Sequence, residues 1–299
     1  MSRTLQLALL QHACPFGASK EDHLATCERL IRQAAVDGAQ LIVTQELFAG
    51  HYFCQVEDES LCDLAEPIPG PTSRHVASLA SELGVTISAS LFEKRTAGVY
   101  HNTTATFGPA GDLIGKYRKM HIPDDPRFYE KYYFTPGDLG WQTFEHDNGQ
   151  QPARVGTLVC WDQWFPEAAR LTALKGAELL LYPTAIGYYN DAEQGEPADV
   201  RQQQLAAWQT MMQSHAIANG VFVAAANRIG KENDLTFWGS SFVCGPDGKV
   251  IAQASPDTEA VLHAELDLDA IETQRRGWPF LRDRRIDAYQ ALYKRVDDT

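Results

Sequence analysis

One local unit recurs four times along the chain: a helical stretch, a glycine, then a short apolar run. The copies are Ala34-Ala35-Val36-Asp37-Gly38 before Gln40-Leu41-Ile42-Val43, and Leu83-Gly84 before Val85-Thr86-Ile87-Ser88. They continue with Leu174-Lys175-Gly176 before Glu178-Leu179-Leu180-Leu181-Tyr182, and Ala218-Asn219-Gly220 before Val221-Phe222-Val223-Ala224. A helix often ends on a left-handed residue, a conformation glycine adopts without a Cβ penalty. Apolar runs that do not alternate are strands buried on both faces, so helices must cover the sheets they build. The pattern restricts the chain to a layered α/β fold with helices outside two inner sheets.

The remaining local signals fit that frame. Ser19 followed by Asp22 forms a capping box, after which Leu24, Cys27, Leu30, Ile31, Ala34 and Ala35 keep helical spacing. Pro71 and Pro166 sit where a first helical turn tolerates a missing N–H. Asp199 to Ala218 reads as one long helix. Two hairpins share a Gly-Pro turn: Val99 to Phe107 into Leu113–Tyr117, and Ser241–Cys244 into Lys249–Ala252. They suggest two similar halves joined near residues 140 to 152. Gly140 to Gln151 reads as a loop inside a single domain spanning residues 1–299. The opening segment Met1–Leu10 is too short an apolar run for a signal peptide, and Gln6 interrupts it in alternation, so it reads as a first strand.

Charge and cysteine usage narrow the partners. Lys and Arg total 26 against 39 Asp and Glu, a formal net charge of −13. Such a surface repels nucleic acid and anionic membranes and weakly favours small cations. No run of apolar residues is long enough for a membrane span. The six cysteines include no C-x-x-C pair, which argues against a structural metal or a disulfide framework and fits reduced thiols in the cytoplasm.

In layered α/β proteins ligands meet the carboxyl ends of strands. Two apolar runs deliver a reactive side chain there: Leu41–Gln45 delivers Glu46, and Arg154–Val159 delivers Cys160. Cys160 leads through Trp161-Asp162-Gln163-Trp164-Phe165-Pro166-Glu167 into a helix, a setting that lowers a thiol pKa. A free cysteine is more commonly a small buried hydrophobe, and Cys14, Cys27, Cys54, Cys62 and Cys244, which lack this placement, read that way. Taken alone, Glu46 reads as a solvated loop carboxylate and Lys119 as part of a basic strand end; their combination decides.

Gln45-Glu46-Leu47-Phe48, then Tyr117-Arg118-Lys119-Met120-His121-Ile122-Pro123, then Cys160 to Glu167 resemble, in order, the three signature segments of the nitrilase superfamily. The similarity extends through Glu130–Asp138, Tyr182–Gly187, Asn227–Glu232, Ser240–Phe242 and Arg282–Arg285, nearly the whole chain. Within that superfamily the segments look most like the N-carbamoylputrescine amidohydrolase branch. The resemblance implies a four-layer α-β-β-α sandwich, a Glu-Lys-Cys triad of Glu46, Lys119 and Cys160, and no metal or cofactor. It implies that Glu130 orients Lys119 and the substrate, that the Trp161 N–H is a second oxyanion donor, and that the substrate is a small cationic carbamoyl amine. It further implies a homo-oligomer joined partly through the Arg-rich C-terminal segment. Tyr188 to Glu196 departs from the branch pattern, which bears on substrate rather than chemistry, and offers Asp191, Glu193 and Glu196 as partners for a distal ammonium.

Three rival readings use the same residues. A papain-like arrangement would join Cys160 to His215 and Asn219 or Asn227. A two-sheet metallophosphodiesterase would need clustered Asp, His and Asn ligands at strand ends, a pattern that is not evident. A non-catalytic scaffold would be favoured by a broken triad, and all three members are present.

Overall fold

The computed structural model of the chain describes residues 3–147, 152–190 and 197–297. All four glycines of the repeated unit take left-handed φ values, 93° at Gly38, 65° at Gly84, 93° at Gly176 and 57° at Gly220. At Gly38 and Gly84 a Cβ would meet nothing within 4 Å, so backbone conformation, not space, calls for glycine there. The helices they close span Lys20–Val36, Pro71–Leu83, Pro166–Leu174 and Ala198–Asn219, and the first carries the Ser19–Asp22 capping box.

The strands form two six-stranded sheets of matching plan. In the first, Thr4–Gln11, Leu41–Val43 and Thr86–Thr96 run parallel, and the hairpin Val99–Phe107 with Leu113–Arg118 extends one side. Ala260–Asp267 pairs antiparallel at the other edge. In the second, Ala153–Thr157, Leu179–Pro183 and Phe222–Ala226 run parallel, extended by Phe242–Cys244 and Val250–Gln253. Thr143–His146 closes its other edge, antiparallel to Ala153–Thr157. This corrects the reading of Gly140–Gln151 as loop. Thr-Phe-Glu-His is short and polar, but it alternates, with Phe144 and His146 buried and Glu145 exposed, which is the period of an edge strand.

Each parallel strand feeds two cores. Leu41 and Val43 join Leu7, Leu9, Leu179 and Leu181 between the sheets, while Ile42 packs outward with Leu30, Ile31, Val76 and Leu79. Likewise Leu180 and Tyr182 pack outward with Ala169, Ala173, Trp208 and Met212. Successive side chains leave a strand on opposite faces, so an uninterrupted apolar run needs a core on each side. The layers therefore stack α-β-β-α. A small third sheet of Gly187–Tyr189, Leu235–Trp238 and Ile229–Glu232 grows directly from the carboxyl ends of the second. No helix among the described residues is long and apolar enough to cross a membrane.

Candidate active site

The strand ends of the two sheets meet around Thr184 and Ala185. The Glu46 N–H donates to the Thr184 carbonyl at 3.3 Å, and the Cys160 thiol points to the Ala185 carbonyl at 3.8 Å. Glu46 follows the strand Leu41–Val43, Lys119 follows Leu113–Arg118, and Cys160 opens a 3₁₀ turn, Cys160–Trp164, after Ala153–Thr157. Two non-glycine residues here hold left-handed φ, Leu47 at 50° and Cys160 at 38°. That conformation is costly for residues with a Cβ and persists where the surroundings over-determine it.

Lys119 is the electrostatic centre. Its Nζ donates to Glu46 Oε1 at 2.8 Å and to Glu130 Oε2 at 2.6 Å, and all three side chains are buried. Burial opposes the ammonium charge, but Glu130 and then Glu46 outweigh it and hold the Lys119 pKa well above the ordinary lysine value. The Glu130 pKa is raised, chiefly by burial with the Glu46 charge adding, against the opposing pull of Lys119. The Cys160 thiol is pushed well up, first by burial and then by Glu46, with Lys119 opposing. A resting thiol, not a thiolate, follows, and this reverses the pKa lowering expected from its place before a helix. The desolvation of a closed site and two carboxylates outweigh the lysine. Such a thiol needs a base. Glu46 Oε2 is buried and has no hydrogen-bond partner among the described residues, so one carboxylate oxygen remains available for a proton.

Four positioning residues went unassigned in the sequence reading. Asn102 Nδ2 donates to Glu46 Oε1 at 2.7 Å, and the Tyr52 hydroxyl donates to Glu130 Oε1 at 2.7 Å. Buried Asp162 accepts from the Val159 N–H at 3.0 Å, the Tyr117 hydroxyl at 2.8 Å and the His121 N–H at 3.0 Å. It thereby ties the Cys160 turn to the segment bearing Lys119. Arg228 Nη2 donates to the carbonyls of Glu46 at 2.7 Å and Leu47 at 3.1 Å, while Nη1 pairs with Glu232 at 2.8 Å. Asp162 and Arg228 both lie in segments that carry the family resemblance, but a lone buried charge gives no sequence signal of what it will hold.

Arg228→Met is expected to lower unfolding free energy by about 3–5 kcal/mol, because Glu232 is left as an unpaired buried charge. Urea denaturation measures it, and a change under about 1 kcal/mol would refute the tie. Arg228→Lys should recover little, since an ammonium cannot reproduce the fork.

The papain-like arrangement does not form. His215 Nε2 bonds the Gln163 carbonyl at 2.7 Å, Asn219 Nδ2 donates to the His215 carbonyl, and Asn227 holds the backbone of Ile186 at 3.0 Å. Among the described residues no three His, Cys, Asp or Glu side chains group to hold a metal ion. Trp161 follows Cys160 within the same turn and is half-buried. Asp191, Glu193 and Glu196 lie outside the described residues.

Known proteins share both sequence and fold. The carbon-nitrogen hydrolase family model matches residues 6–276. The chain is 46% identical to the N-carbamoylputrescine amidase of Solanum lycopersicum, over 97% of this chain and 95% of that protein. It is 40% identical to a citrullinase of Francisella tularensis, over 94% and 96% respectively. The crystal structure of a carbon-nitrogen hydrolase from Helicobacter pylori superposes with a TM-score of 0.93 at 44% identity, covering 99% of this chain and 100% of that one.

Proposed function

The chain belongs to the carbon-nitrogen hydrolase family, and from that premise we propose that it hydrolyses N-carbamoylputrescine to putrescine, CO2 and ammonia. The observation that carries the reading is Lys119 Nζ bridging Glu46 and Glu130 beside Cys160. A ureido carbon is a poor electrophile, so the reaction needs a strong nucleophile and a place for the oxyanion. Glu46 takes the Cys160 proton, and the thiolate attacks the ureido carbon. Lys119 Nζ and the Trp161 N–H donate to the oxyanion; one such donor is typically worth about a hundredfold in rate or more. Glu46 passes its proton to the departing nitrogen, then takes one from the water that attacks the thioester. That attack returns the thiol to Cys160 and frees a carbamic acid, which loses CO2 and so releases the second nitrogen. One water enters per turnover, and its oxygen leaves in CO2. Glu130, held by Tyr52, positions Lys119.

Selectivity for the cation rests on the relatives at 42–46% identity named for this substrate and on the acidic segment Asp191, Glu193 and Glu196, the proposed partners of the distal ammonium. N-carbamoylputrescine should exceed N-carbamoyl-β-alanine in kcat/KM by about tenfold or more, because the second compound replaces the distal cation by an anion. A preference for the anion would sink this substrate and leave the thiol chemistry standing. The citrullinase at 40% identity favours a second reading, a citrulline-type substrate carrying a carboxylate. Including citrulline in the same assay separates the two.

We also propose a homo-oligomer joined through the C-terminal segment, in a cytoplasmic enzyme. Trp278, Phe280, Ile286, Leu292 and Tyr293 are all exposed there, beside Arg282, Arg284 and Arg285. Aromatic residues and arginine are enriched at interfaces. Light scattering should give a multiple of 33.2 kDa at micromolar concentration, and a lone 33.2 kDa species would overturn it.

A further inference from the structure

A cavity of about 170 Å³ opens behind the Glu46–Leu47 turn, on the side facing the helices Lys20–Val36 and Pro71–Leu83. None of Glu46, Lys119, Glu130 and Cys160 lines it. We propose that this cavity is a second ligand site that takes a small neutral aromatic molecule with one hydrogen-bond donor, of the phenol class, and that its occupancy alters turnover through Leu47.

Size and lining set the class. Leu47, Phe53, Ile68, Leu91 and Phe92 give an apolar wall, with the Phe53 and Phe92 rings stacked at 4.9 Å. A void of about 150 Å³ with such a lining accommodates a benzene-sized molecule. The charged pair at the rim has its partners already: Lys20 bonds Glu66, and Glu66 accepts from Thr72 N–H at 2.7 Å and from the Thr72 hydroxyl at 3.0 Å. A charged ligand would find no free counter-charge in that pair.

His23 supplies the polar point. It lines the cavity at 3% exposure, and its Nε2 has no hydrogen-bond partner among the described residues. A neutral imidazole carries one donor and one acceptor nitrogen, so Nε2 can accept a hydrogen bond from a ligand. Burial lowers the pKa of both His23 and His51, which favours neutral imidazoles on this wall. A ligand O–H fits Nε2; an ammonium would be desolvated without compensation.

The link to catalysis is one residue long. Leu47 holds φ 50° directly after Glu46, its N–H donates to Ser90 Oγ at 3.1 Å, and both Leu47 and Ser90 line the cavity. Packing against that turn changes how freely Glu46 is aimed.

The test is calorimetric titration of the full-length enzyme with phenol and with fluorobenzene, which has the same shape and no donor. Phenol should bind saturably and about tenfold or more tightly than fluorobenzene, the worth of one hydrogen bond in a buried site. His23→Phe should erase that margin, and Ile68→Trp, which fills the partly exposed rim, should abolish binding of both. Over the same phenol concentrations kcat should change about twofold or more with KM unmoved. Equal affinity for the two compounds, no saturable binding, or inhibition purely competitive with substrate would each overturn the site, the last by placing phenol at Cys160. The phenol and fluorobenzene comparison needs no variant and no particular substrate, so its outcome is independent of whether the enzyme acts on N-carbamoylputrescine.

Discussion

Cys160→Ala is expected to reduce turnover to background, a loss on the order of 10⁶-fold when a nucleophile is removed from a cooperating set. The protein should stay folded. Among the described residues the sulfur makes one weak hydrogen bond, 3.8 Å to the Ala185 carbonyl, and alanine meets the same left-handed backbone cost at this position as cysteine does. A stability change within about 2 kcal/mol follows. Substrate should still bind, since the variant removes the attacking atom and leaves Lys119 between its two carboxylates. A thiol-directed reagent should label Cys160 in the native enzyme, and substrate should protect it. The other buried thiols are poor substitutes: Cys27 and Cys54 are fully buried with raised pKa values, and Cys14 faces the Phe48 carbonyl at 3.6 Å. Activity in the variant above about one part in a thousand would exclude Cys160 as nucleophile.

Lys119→Met is expected to damage catalysis and stability together. It removes one oxyanion donor, which alone costs about 10²–10³ in kcat. It also leaves Glu46 and Glu130 buried with no cation between them. Breaking one member out of a buried ionic set costs about 3–5 kcal/mol, and two carboxylates so placed will share a proton rather than both ionise. The stability loss should shrink at low pH, because protonation removes the repulsion that Lys119 formerly offset. Chemical denaturation at pH 5 and pH 8 measures this directly. The double variant Lys119→Met with Glu130→Gln should be more stable than Lys119→Met alone and no more active. Equal stability of the two variants would mean that Lys119 does not balance that pair.

The sequence made the elements with local causes legible. Glycines at 38, 84, 176 and 220 each mark a helix end through a conformation of their own backbone, and the Ser19–Asp22 box needs only three residues of separation. Thr143–His146 is not legible as a strand because its pairing with Ala153–Thr157 decides it, and four residues with one large apolar side chain carry too little periodicity. At the proposed site, strand-end logic singles out Glu46 and Cys160, and the family resemblance adds Lys119, Glu130 and Trp161. Asn102, Tyr52, Asp162 and Arg228 are beyond both arguments, since each acts through a partner between 41 and 182 residues away in the chain. The expected low thiol pKa failed for a related reason. Burial and the neighbouring carboxylates are properties of the assembled site, not of the Cys160 segment.

The grip of Arg228 on the carbonyls of Glu46 and Leu47 also sets a clock on the enzyme as it is made. Glu46, the proposed base, leaves the ribosome 182 residues before the guanidinium that holds its carbonyl, and Cys160 emerges between the two. A nascent chain therefore carries the reactive groups long before it can use them. Hydrolytic power is withheld until the second sheet closes over the first, and a form in which this one contact opens is expected to lose its hold on Glu46 with its helices intact. Loss of activity in mild denaturant should accordingly run ahead of loss of helix signal, so this hydrolase reports on its own completeness.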